Sequence, residues 1–353
     1  MKLKEAVEAS DIQEYKIMFL REDIEKREKT ILSAVATKSA DSKGRLVFEE
    51  PCLYRTEFQR DRDRIIHSKA FRRLMHKTQV FLAPEGDHYR TRLTHTLEVS
   101  QIARTISRIL NLNEDLTEAI AMGHDLGHTP FGHNGEIVLN SIHKAGFRHN
   151  EQSLRVVDLI ESTENRIGMN LTREVRDGIL NHTGKLPAQT PEGQVVKISD
   201  RIAYINHDID DAVRSGVLRI DDLPKRPLEV FGRSHSLRIN AMINNVVKTS
   251  DGKAFVAMDE FHNDVLLELR TFMFKNVYKS EKVKKAEDLD KVEMVVKSLY
   301  IYFCKNWNKL PREMGRIIES DGIEVAVKDY IAGMTDRFAL NLYSELFVPK
   351  GWK

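Results

Sequence analysis

The sequence predicts an all-α fold. Apolar residues recur at steps of three and four along most of the 353 residues, and this spacing places them on one face of a helix. The alternation that marks a half-buried strand is nearly absent. It occurs once, in residues 45–53, where Leu46 and Phe48 alternate before Pro51 ends the stretch. We therefore expect packed helices with at most one short strand.

The individual helices are predicted from this spacing and from the residues that interrupt it. Clusters of glycine, proline and small polar residues at 39–44, 84–86, 147–153 and 186–193 predict loops between them. Helix 55–73 is densely charged, so most of its arginines are expected to form ion pairs, while a few could face a polyanionic ligand. The predicted helices are 11–29, 55–73, 90–110, 116–122, 137–145, 153–160, 171–180, 194–214, 261–278, 292–307, 312–318, 325–331 and 337–347.

The composition excludes several classes of protein. Hydrophobic residues make up 41% of the chain, enough for a sizeable core, and the net charge of +2 does not mark the whole chain as a nucleic-acid binder. Cys52 and Cys304 are too few for a disulfide framework, which fits a reducing compartment. There is no apolar run of the ~18 residues that span a membrane, and residues 1–6 lack the apolar core of a signal peptide. We expect a soluble cytoplasmic protein without a membrane partner.

Residues that bind metals are concentrated in one segment of thirteen residues, 124–136. The segment contains His124, Asp125, His128, His133 and Glu136, with glycines and a proline that prevent one long helix. A preceding packed helix that ends at His124 would present an imidazole and a carboxylate side by side, which suits a divalent metal ion. The alternative is a surface turn that happens to be rich in histidine.

A second set of polar residues lies on the predicted helix 194–214. Asp200, Tyr204, Asp208 and Asp211 follow one another at steps of four, four and three, so they share one face. Such a face can simply be solvated. Asp200, however, lies between two isoleucines near the apolar side of the helix. A carboxylate in that position is costly unless a cation compensates it.

His95, in the first turn of helix 90–110, completes a candidate metal site. A histidine alone on a helix is more often a hydrogen-bonded structural residue. Together with His124, Asp125 and Asp200, however, it makes a set of two imidazoles and two carboxylates that neutralises a divalent cation and leaves coordination positions open. Open positions mark a catalytic metal, which lowers the pKa of bound water and polarises a phosphoryl oxygen. Divalent Mn, Mg, Fe, Ni and Zn all accept this set of ligands.

The order His, His-Asp, Asp resembles the HD-domain phosphohydrolase superfamily. Longer blocks of sequence resemble the bacterial deoxyguanosinetriphosphate triphosphohydrolase-like family, and the likeness extends from about residue 45 to 349. The resemblance implies an HD-domain helical fold with additional C-terminal helices. We expect an N-terminal helix and arm in 1–60, the HD metal phosphohydrolase core in 61–216 and a C-terminal helical region in 217–353. The blocks are 60–68, 71–74, 77–81, 90–95, 124–136 and 329–337.

The resemblance implies hydrolysis of a dNTP, either dGTP or several dNTPs, to deoxynucleoside and tripolyphosphate. Water attacks the α-phosphorus, and the departing 5′-oxygen needs a proton because an alkoxide leaves poorly. In this sequence His133 matches the general acid/base, and Glu136 matches the residue that orients it. The other implied contacts are His128, His149, Arg92 and Arg201 to phosphates, Tyr204 against a ribose 2′-hydroxyl, and Gln79 and Asp208 to the 3′-hydroxyl.

Three other interpretations compete with this one. The chain could be another HD enzyme, such as a phosphomonoesterase or a cyclic-nucleotide phosphodiesterase. It could instead be a single-stranded nucleic-acid-binding or regulatory protein for which dNTP is only an effector. A degenerate scaffold without activity is disfavoured because all four candidate ligands are present. The resemblance also implies a homo-oligomer (dimer, tetramer or hexamer), and in some members a second dNTP as activator or binding of single-stranded DNA.

Overall fold

The computed structural model describes residues 18–79, 90–278 and 286–349. Across these ranges it contains sixteen α-helices and no β-strand, which confirms the all-α prediction. The helices are α1 (Arg21–Ile31), α2 (Glu57–Ile66), α3 (Lys69–Arg73), α4 (Arg92–Ile109), α5 (Glu114–Gly123), α6 (Gly132–Ile142), α7 (His149–Arg155), α8 (Arg173–Asn181), α9 (Pro191–Arg214), α10 (Lys225–Phe231), α11 (His235–Ser250), α12 (Glu260–Met273), α13 (Ala286–Lys305), α14 (Gly315–Asp321), α15 (Ile323–Ala332) and α16 (Asp336–Phe347).

Some sequence predictions lie wholly or partly outside the described residues. The loop predicted at 84–86 is one of these, and so is the beginning of helix 11–29, whose described part starts at Arg21. None of the helices within the three described ranges has both the length and the apolar character needed to cross a membrane.

The predicted strand in residues 45–53 is wrong. The backbone there forms an isolated bridge between Arg45 and Thr172, and no neighbouring strand continues it. Leu46 and Phe48 are 54% and 79% exposed, so the alternation does not mark a face packed on the core. The segment is anchored instead by the Arg45 side chain, which forms an ion pair with Asp61, a carboxylate buried on α2.

Glu49 fixes the same segment to its neighbours. Its carboxylate accepts hydrogen bonds from Asn170 at 2.7 Å and from Arg60 at 3.0 Å, and it also pairs with Arg64. Burial alone would raise the pKa of Glu49. The hydrogen bonds from Arg64 and Asn170 and the positive charges of Arg64 and Arg45 outweigh burial and lower this pKa from 4.5 to about 2. The arginines of α2 are therefore ion-paired, as expected for a charged helix.

Two predicted loops are partly helical. Residues 147–153 were predicted to be irregular, but α7 begins at His149. Its backbone N–H donates to the carboxylate of Glu136 at 2.9 Å, so a side chain from α6 satisfies the start of the helix. In 186–193, helix α9 begins at Pro191, and the hydroxyl of Thr190 caps it. The first cap is supplied by a residue thirteen positions away, which no local pattern indicates.

The apolar spacing along the predicted helix 90–110 places Leu97, Ile102, Ile106 and Ile109 on a face toward the core, but two of these residues do not face it. Leu97 is 49% exposed and Ile109 is 53% exposed, whereas Ile102 and Ile106 are buried. Leu97 lies nine positions before Ile106, which is half a rotation around the helix and therefore the opposite face. Ile109 is the last residue of α4, where the helix leaves the core.

Two hydrophobic cores organise the chain. The first is formed mainly by helices α2, α4, α5, α8, α9, α11 and α12, and the second by α6 together with the C-terminal helices α13 to α16. The segment 124–136 connects α5 of the first core to α6 of the second. The division into regions 1–60, 61–216 and 217–353 stays a prediction.

The C-terminal helices hold the 124–136 segment in place. The buried amine of Lys77 donates to the backbone carbonyl of His128 and, at 2.8 Å, to that of Ala332 at the end of α15. The carboxylate of Asp336 accepts from the backbone N–H of Phe131 at 2.9 Å. Phe131 has a positive φ of 62°, a strained conformation for a large residue that these contacts help to maintain. The C-terminal region therefore helps to determine the course of the 124–136 segment.

Candidate metal centre

The four predicted ligands come from three helices. Ligand atoms of His95, His124 and Asp200 all lie within 4.8 Å of one another, whereas Asp125 is grouped in this way with His128 and His149. His95 comes from the first turn of α4, His124 and Asp125 follow the end of α5, and Asp200 lies in the middle of α9. The distance between His95 Nε2 and Asp200 Oδ1 is 3.0 Å, and His124 Nε2 lies 3.9 Å from the same oxygen. His124 Nε2 is 3.5 Å from Asp125 Oδ1. Two ligands that each lie about 2.1 Å from one ion are separated by about 3.0 to 4.2 Å, so this spacing fits a metal ion.

The hydrogen bonds of His124 also fit a metal ligand. Its Nδ1 lies 2.6 Å from the carbonyl oxygen of Ala121, and because a carbonyl only accepts, Nδ1 must carry the proton. In the neutral ring Nε2 then has a free lone pair. The side chain is fully buried, and within the described residues Nε2 has no hydrogen-bond partner. A buried lone pair that faces two carboxylates is satisfied by a cation.

The two aspartates remain ionised although they are buried. Burial raises the pKa of Asp125, but the interactions with His128, His124 and Arg92 outweigh it and hold this pKa well below its usual range. The pKa of Asp200 is also lowered, because its interactions with His95 and His124 exceed the effect of burial. Both carboxylates are therefore available as anionic ligands near neutral pH.

Arg92 is buried beside these carboxylates and is only partly satisfied. Its side chain is 1% exposed, and one terminal nitrogen donates to Asp125 Oδ2 at 2.9 Å. The remaining groups, Nε and the second terminal nitrogen, are buried without a hydrogen-bond partner in the described ranges. The same holds for Oε1 of Gln79. Unsatisfied donors on a buried guanidinium are suited to a phosphate oxygen, while an unsatisfied amide oxygen is suited to a hydroxyl.

Glu136 connects the histidines on the other side of the site. Its carboxylate lies 3.2 Å from His133 Nδ1 and 3.0 and 3.1 Å from His149 Nδ1. Although burial raises the pKa of Glu136, the hydrogen bonds from His133 and His149 lower it well below its usual range. The ring of His128 stacks on that of His149 with centroids 4.1 Å apart, and His128 Nε2 lies 3.2 Å from Asp125. His133 is 65% exposed and so can reach a bound ligand.

The other predicted substrate residues lie on α9, the helix that also carries Asp200. Arg201 donates to Asn263 of α12 at 3.4 Å. Tyr204 is largely buried, and burial raises its pKa to about 12. Asp208 is also buried and lies close enough to Tyr204 to raise the pKa of the phenol. The structure thus places Arg201 against α12 and Tyr204 near both Asp200 and Asp208, but it adds no contact that assigns their roles, which stay predictions.

Sequence analysis missed two residues near the site. Arg270 of α12 lies close enough to Tyr204 for its charge to lower the phenol pKa. His182 follows the end of α8 and is buried among the site histidines, with its ring centroid 5.1 Å from that of His124. A signal for His182 was present, because it ends a helix just before a glycine-containing turn, much as His124 does.

Comparisons with known proteins identify two domain models along the chain. Residues 92–205 match the HD domain model, and residues 256–345 match the phosphohydrolase-associated domain model. The chain is 58% identical to a deoxyguanosinetriphosphate triphosphohydrolase-like protein of Caldanaerobacter subterraneus, covering 95% of this chain and 98% of the relative. It is 48% identical to a protein of the same description from Clostridium perfringens, covering 94% and 99%. A solved structure of a hypothetical Aquifex aeolicus protein is 23% identical over 82% of this chain and 68% of that one, with a TM-score of 0.43.

Proposed function

The chain belongs to the deoxyguanosinetriphosphate triphosphohydrolase-like family of HD-domain phosphohydrolases, and we propose that it hydrolyses deoxynucleoside triphosphates to deoxynucleoside and tripolyphosphate. The His and Asp cluster of the HD domain indicates that a divalent metal ion takes part. The proposal extends to the substrate, the products and the roles of individual residues.

One observation supports the proposal most directly. Arg92 has buried N–H groups without hydrogen-bond partners in the described residues. It lies beside Asp125, which in turn lies beside His124, and both of these are proposed metal ligands. A site that combines a divalent cation with a buried arginine fork is built for a phosphate whose oxygens contact both. A buried guanidinium without full hydrogen bonding is costly, so such a group persists where a ligand completes it.

His95, His124, Asp125 and Asp200 would hold the metal ion. When bound, the ion supplies Lewis acidity toward a phosphoryl oxygen and lowers the pKa of bound water. The chain itself contributes orientation. Arg92 would bind a phosphate oxygen through its free N–H groups and fix the α-phosphorus beside the carboxylates. Its ion pair with Asp125 holds both side chains in this orientation before a substrate arrives.

Proton transfer is assigned to His133. Its Nδ1 is held by Glu136 at 3.2 Å, so Nε2 lies on the side of the ring away from that carboxylate, and the side chain is 65% exposed. We propose that Nε2 donates a proton to the departing 5′-oxygen as the bond between phosphorus and that oxygen breaks. Glu136 stabilises the charged ring before this transfer and keeps its orientation. His128 and His149 contact phosphate oxygens in this proposal.

The deoxyribose would lie against α9. Tyr204 is partly buried on α9, and in this proposal its ring excludes a ribose 2′-hydroxyl by contact. Gln79 offers a buried amide oxygen without a hydrogen-bond partner in the described residues, which suits the 3′-hydroxyl. Because the hydroxyl has one proton to donate, Asp208 would accept it when the Gln79 amide turns its NH2 toward the hydroxyl oxygen, and Arg201 would bind an outer phosphate.

Product analysis tests the proposal. The purified protein is incubated with each dNTP singly and with all four mixed, in Mn²⁺ and then in Mg²⁺, and the products are separated. Deoxynucleoside with intact tripolyphosphate is the expected result, and a His124→Ala variant should produce neither. Monophosphate with pyrophosphate would contradict the reaction, as would hydrolysis confined to phosphomonoesters or cyclic nucleotides.

The expectations about partners stay predictions with separate tests. Light scattering at several concentrations tests the homo-oligomer. Turnover that occurs only in dNTP mixtures would indicate a second dNTP as activator. Binding of single-stranded DNA that weakens steeply with salt would indicate a nucleic-acid partner.

A further inference from the structure

A strongly basic pocket of about 490 Å³ lies where α2 and α3 meet the turn at residues 162–168. None of its lining residues belongs to the candidate metal centre. The lining contains two carboxylates, those of Asp63 and Glu161, and six cationic side chains. The sequence left open that a few arginines of residues 55–73 face a polyanionic ligand, and the proposed function uses none of them. The cationic residues of this basic pocket are Arg55, Arg60, Arg64, Lys69, Arg72 and Arg166.

Three of the six cations already have carboxylate partners. Arg55 pairs with Asp63 at 2.8 Å, and Arg60 and Arg64 both pair with Glu49. Glu49 lies outside the lining, and its single charge is shared by these two guanidinium groups. The carboxylates beside α2 are therefore engaged by the arginines of α2 and of the segment before it.

The other three cations, Lys69, Arg72 and Arg166, form no ion pair with a carboxylate anywhere in the described residues. Arg72 donates to the backbone carbonyl of His67 at 2.9 Å, and Nε of Arg166 donates to that of Gly168 at 3.0 Å. The terminal nitrogens of Arg166 are left without a protein partner in the same ranges. One concave surface thus contains three charged groups that lack a direct counter-charge.

Glu161, the second carboxylate of the lining, is engaged by the backbone. It accepts the N–H groups of Lys69 at 3.2 Å and Ala70 at 2.7 Å, and it therefore satisfies the start of α3. Its side-chain oxygens face these amides, so the cationic side chains of the lining gain no ion pair from it.

Arg166 is held among like charges. Burial lowers the pKa of its guanidinium, and the positive charges of Arg64, Arg45 and Arg60 lower it further, against the opposite effect of Glu49. Nearby charges of the same sign disfavour the charged form of any group. An anion bound in the basic pocket would offset this repulsion.

The turn that carries Arg166 is fixed before any ligand binds. The N–H of Thr163 donates to the carbonyl of Arg166 at 2.9 Å, and the N–H of Gly168 donates to the hydroxyl of Ser162 at 2.9 Å. Gly168 has a positive φ of 61°, and a Cβ there would lie 2.1 Å from the carbonyl oxygen of Asp158. The turn is therefore packed closely against its neighbours, and a ligand would have little backbone to order.

The chemistry of the lining indicates the class of anion. A guanidinium binds phosphate oxygens through two parallel N–H groups, so free arginine forks suit a phosphate chain. Pockets for organic ligands are lined mainly by apolar and aromatic side chains. Within the described residues, this lining has one apolar side chain, Met169, and no phenylalanine, tyrosine or tryptophan. It therefore offers little surface for a nucleobase.

We propose that the basic pocket binds an inorganic condensed phosphate, such as pyrophosphate or tripolyphosphate. Lys69 and Arg72 from α3 and Arg166 from the turn would bind the phosphate chain together. This site goes beyond the proposed function and does not depend on which nucleotide is hydrolysed. The proposed reaction releases tripolyphosphate, which is one source of such a ligand.

Calorimetric titration with tripolyphosphate tests the proposal on the full chain in the presence of a chelator. Wild type should bind it, and Arg166→Met should weaken this binding by about tenfold or more, because a charge-assisted fork is lost. Arg166→Lys keeps the charge without the fork and should bind between the two. Arg219→Met is the matched control: Arg219 is 82% exposed, pairs with Asp222 at 3.4 Å and lies outside the lining, so this variant should bind like wild type.

Tripolyphosphate can also enter the catalytic site, so the titration is repeated with Arg92→Met, which lacks the phosphate donors proposed there. Binding should persist in this variant. Loss of all binding in Arg92→Met, or unchanged affinity in Arg166→Met, would overturn the proposal. If Arg166→Met does not fold, Arg72→Met gives the same test, because the Arg72 guanidinium donates only to one carbonyl in the described residues.

Other anions test the ligand class. Sulfate should bind more weakly than tripolyphosphate, and equal affinities would show unselective attraction of anions. Deoxyadenosine triphosphate should gain nothing from its base; if its binding through Arg166 is tighter by more than about tenfold, the ligand is a nucleotide and the proposed class is wrong. Tighter binding of a single-stranded oligonucleotide through Arg166 would identify a nucleic-acid surface instead.

Product analysis separates this proposal from the proposed function. A protein that binds tripolyphosphate through Arg166 but releases no deoxynucleoside retains the basic pocket and refutes the reaction. A protein that releases deoxynucleoside while Arg166→Met binds tripolyphosphate like wild type retains the reaction and refutes the pocket.

Discussion

Replacing Arg92 by methionine separates the two contributions that we assign to this arginine. In the structure its guanidinium is 1% exposed and pairs with the buried Asp125, while its other N–H groups have no partner in the described part of the chain. Methionine keeps the apolar stem but removes the charge. The variant therefore leaves Asp125 buried without its nearest permanent cation and leaves a bound phosphate without its donors.

The size of both effects follows from these contacts. Breaking a buried ion pair by removing one partner costs about 3 to 5 kcal/mol of stability. For 353 residues, at about 2.1 cal/mol/K per residue, this lowers the melting temperature by about 4 to 7 °C. Two charge-assisted hydrogen bonds to phosphate, each worth about 1.5 to 3 kcal/mol, correspond to a loss of about 10² to 10⁴ in kcat/KM.

The assay measures melting with and without Mn²⁺, and kcat/KM for release of deoxynucleoside from dNTP. Added Mn²⁺ should restore part of the melting temperature because it replaces the missing positive charge beside Asp125. Arg92→Lys should keep most of the stability and lose part of the activity, since lysine has the charge but not the fork.

Arg108→Met is the matched control on the same helix. Arg108 is 68% exposed and pairs with Glu114 at 2.7 Å, so its loss should change little. The reasoning is refuted if Arg92→Met resembles Arg108→Met in both measurements.

Four further outcomes are expected. His124→Ala should lose bound metal and turnover together, measured by elemental analysis and product release, and full turnover in this variant would rule out the assigned site. His133→Ala should keep its metal while kcat falls about 10² to 10⁴-fold; loss of metal instead would mean that His133 is a ligand. The pKa of Glu49 is lowered to about 2, so this residue contributes up to about 3 kcal/mol of stability above pH 4.5, and this contribution is lost as pH falls toward 2. In chemical denaturation across this range, the free energy of unfolding should depend less steeply on pH for Glu49→Gln than for wild type. Equal pH dependence in the two proteins would contradict the assignment. Gly127→Ala should lower the melting temperature by several degrees, because a Cβ there would lie 2.2 Å from a backbone nitrogen and 2.5 Å from a backbone oxygen; a melting temperature equal to wild type would show that the backbone yields.

Much of the fold could be predicted because a helix has a local period. The apolar spacing located α4, α5, α8 and α9 to within a few residues, since side chains three and four positions apart share a face in any surroundings. The same reasoning failed at residues 45–53, where two alternating apolar residues indicated a strand. A strand needs a partner, and the structure provides an isolated bridge there instead.

The candidate site could also be predicted in part from the sequence. His124 and Asp125 are neighbours in the chain, so the sequence alone places an imidazole and a carboxylate together, and the apolar surroundings of Asp200 indicate that a cation compensates it. The resemblance to HD-domain proteins connects these residues with His95. These inferences depend on residue type and short spacing, both of which can be read directly from the chain.

Only the tertiary structure brings His182 against His149, supplies the start of α7 from Glu136, and buries Arg92 with N–H groups unsatisfied. Each of these features depends on how helices far apart in sequence cross and on which polar atoms that packing removes from water. An unpaired donor or lone pair costs free energy when it is buried, and it therefore indicates a place where a ligand binds. Burial, however, is a property of the assembled helices. The sequence therefore determined which groups are available for the chemistry, and the packing of the helices decided which of them face one another.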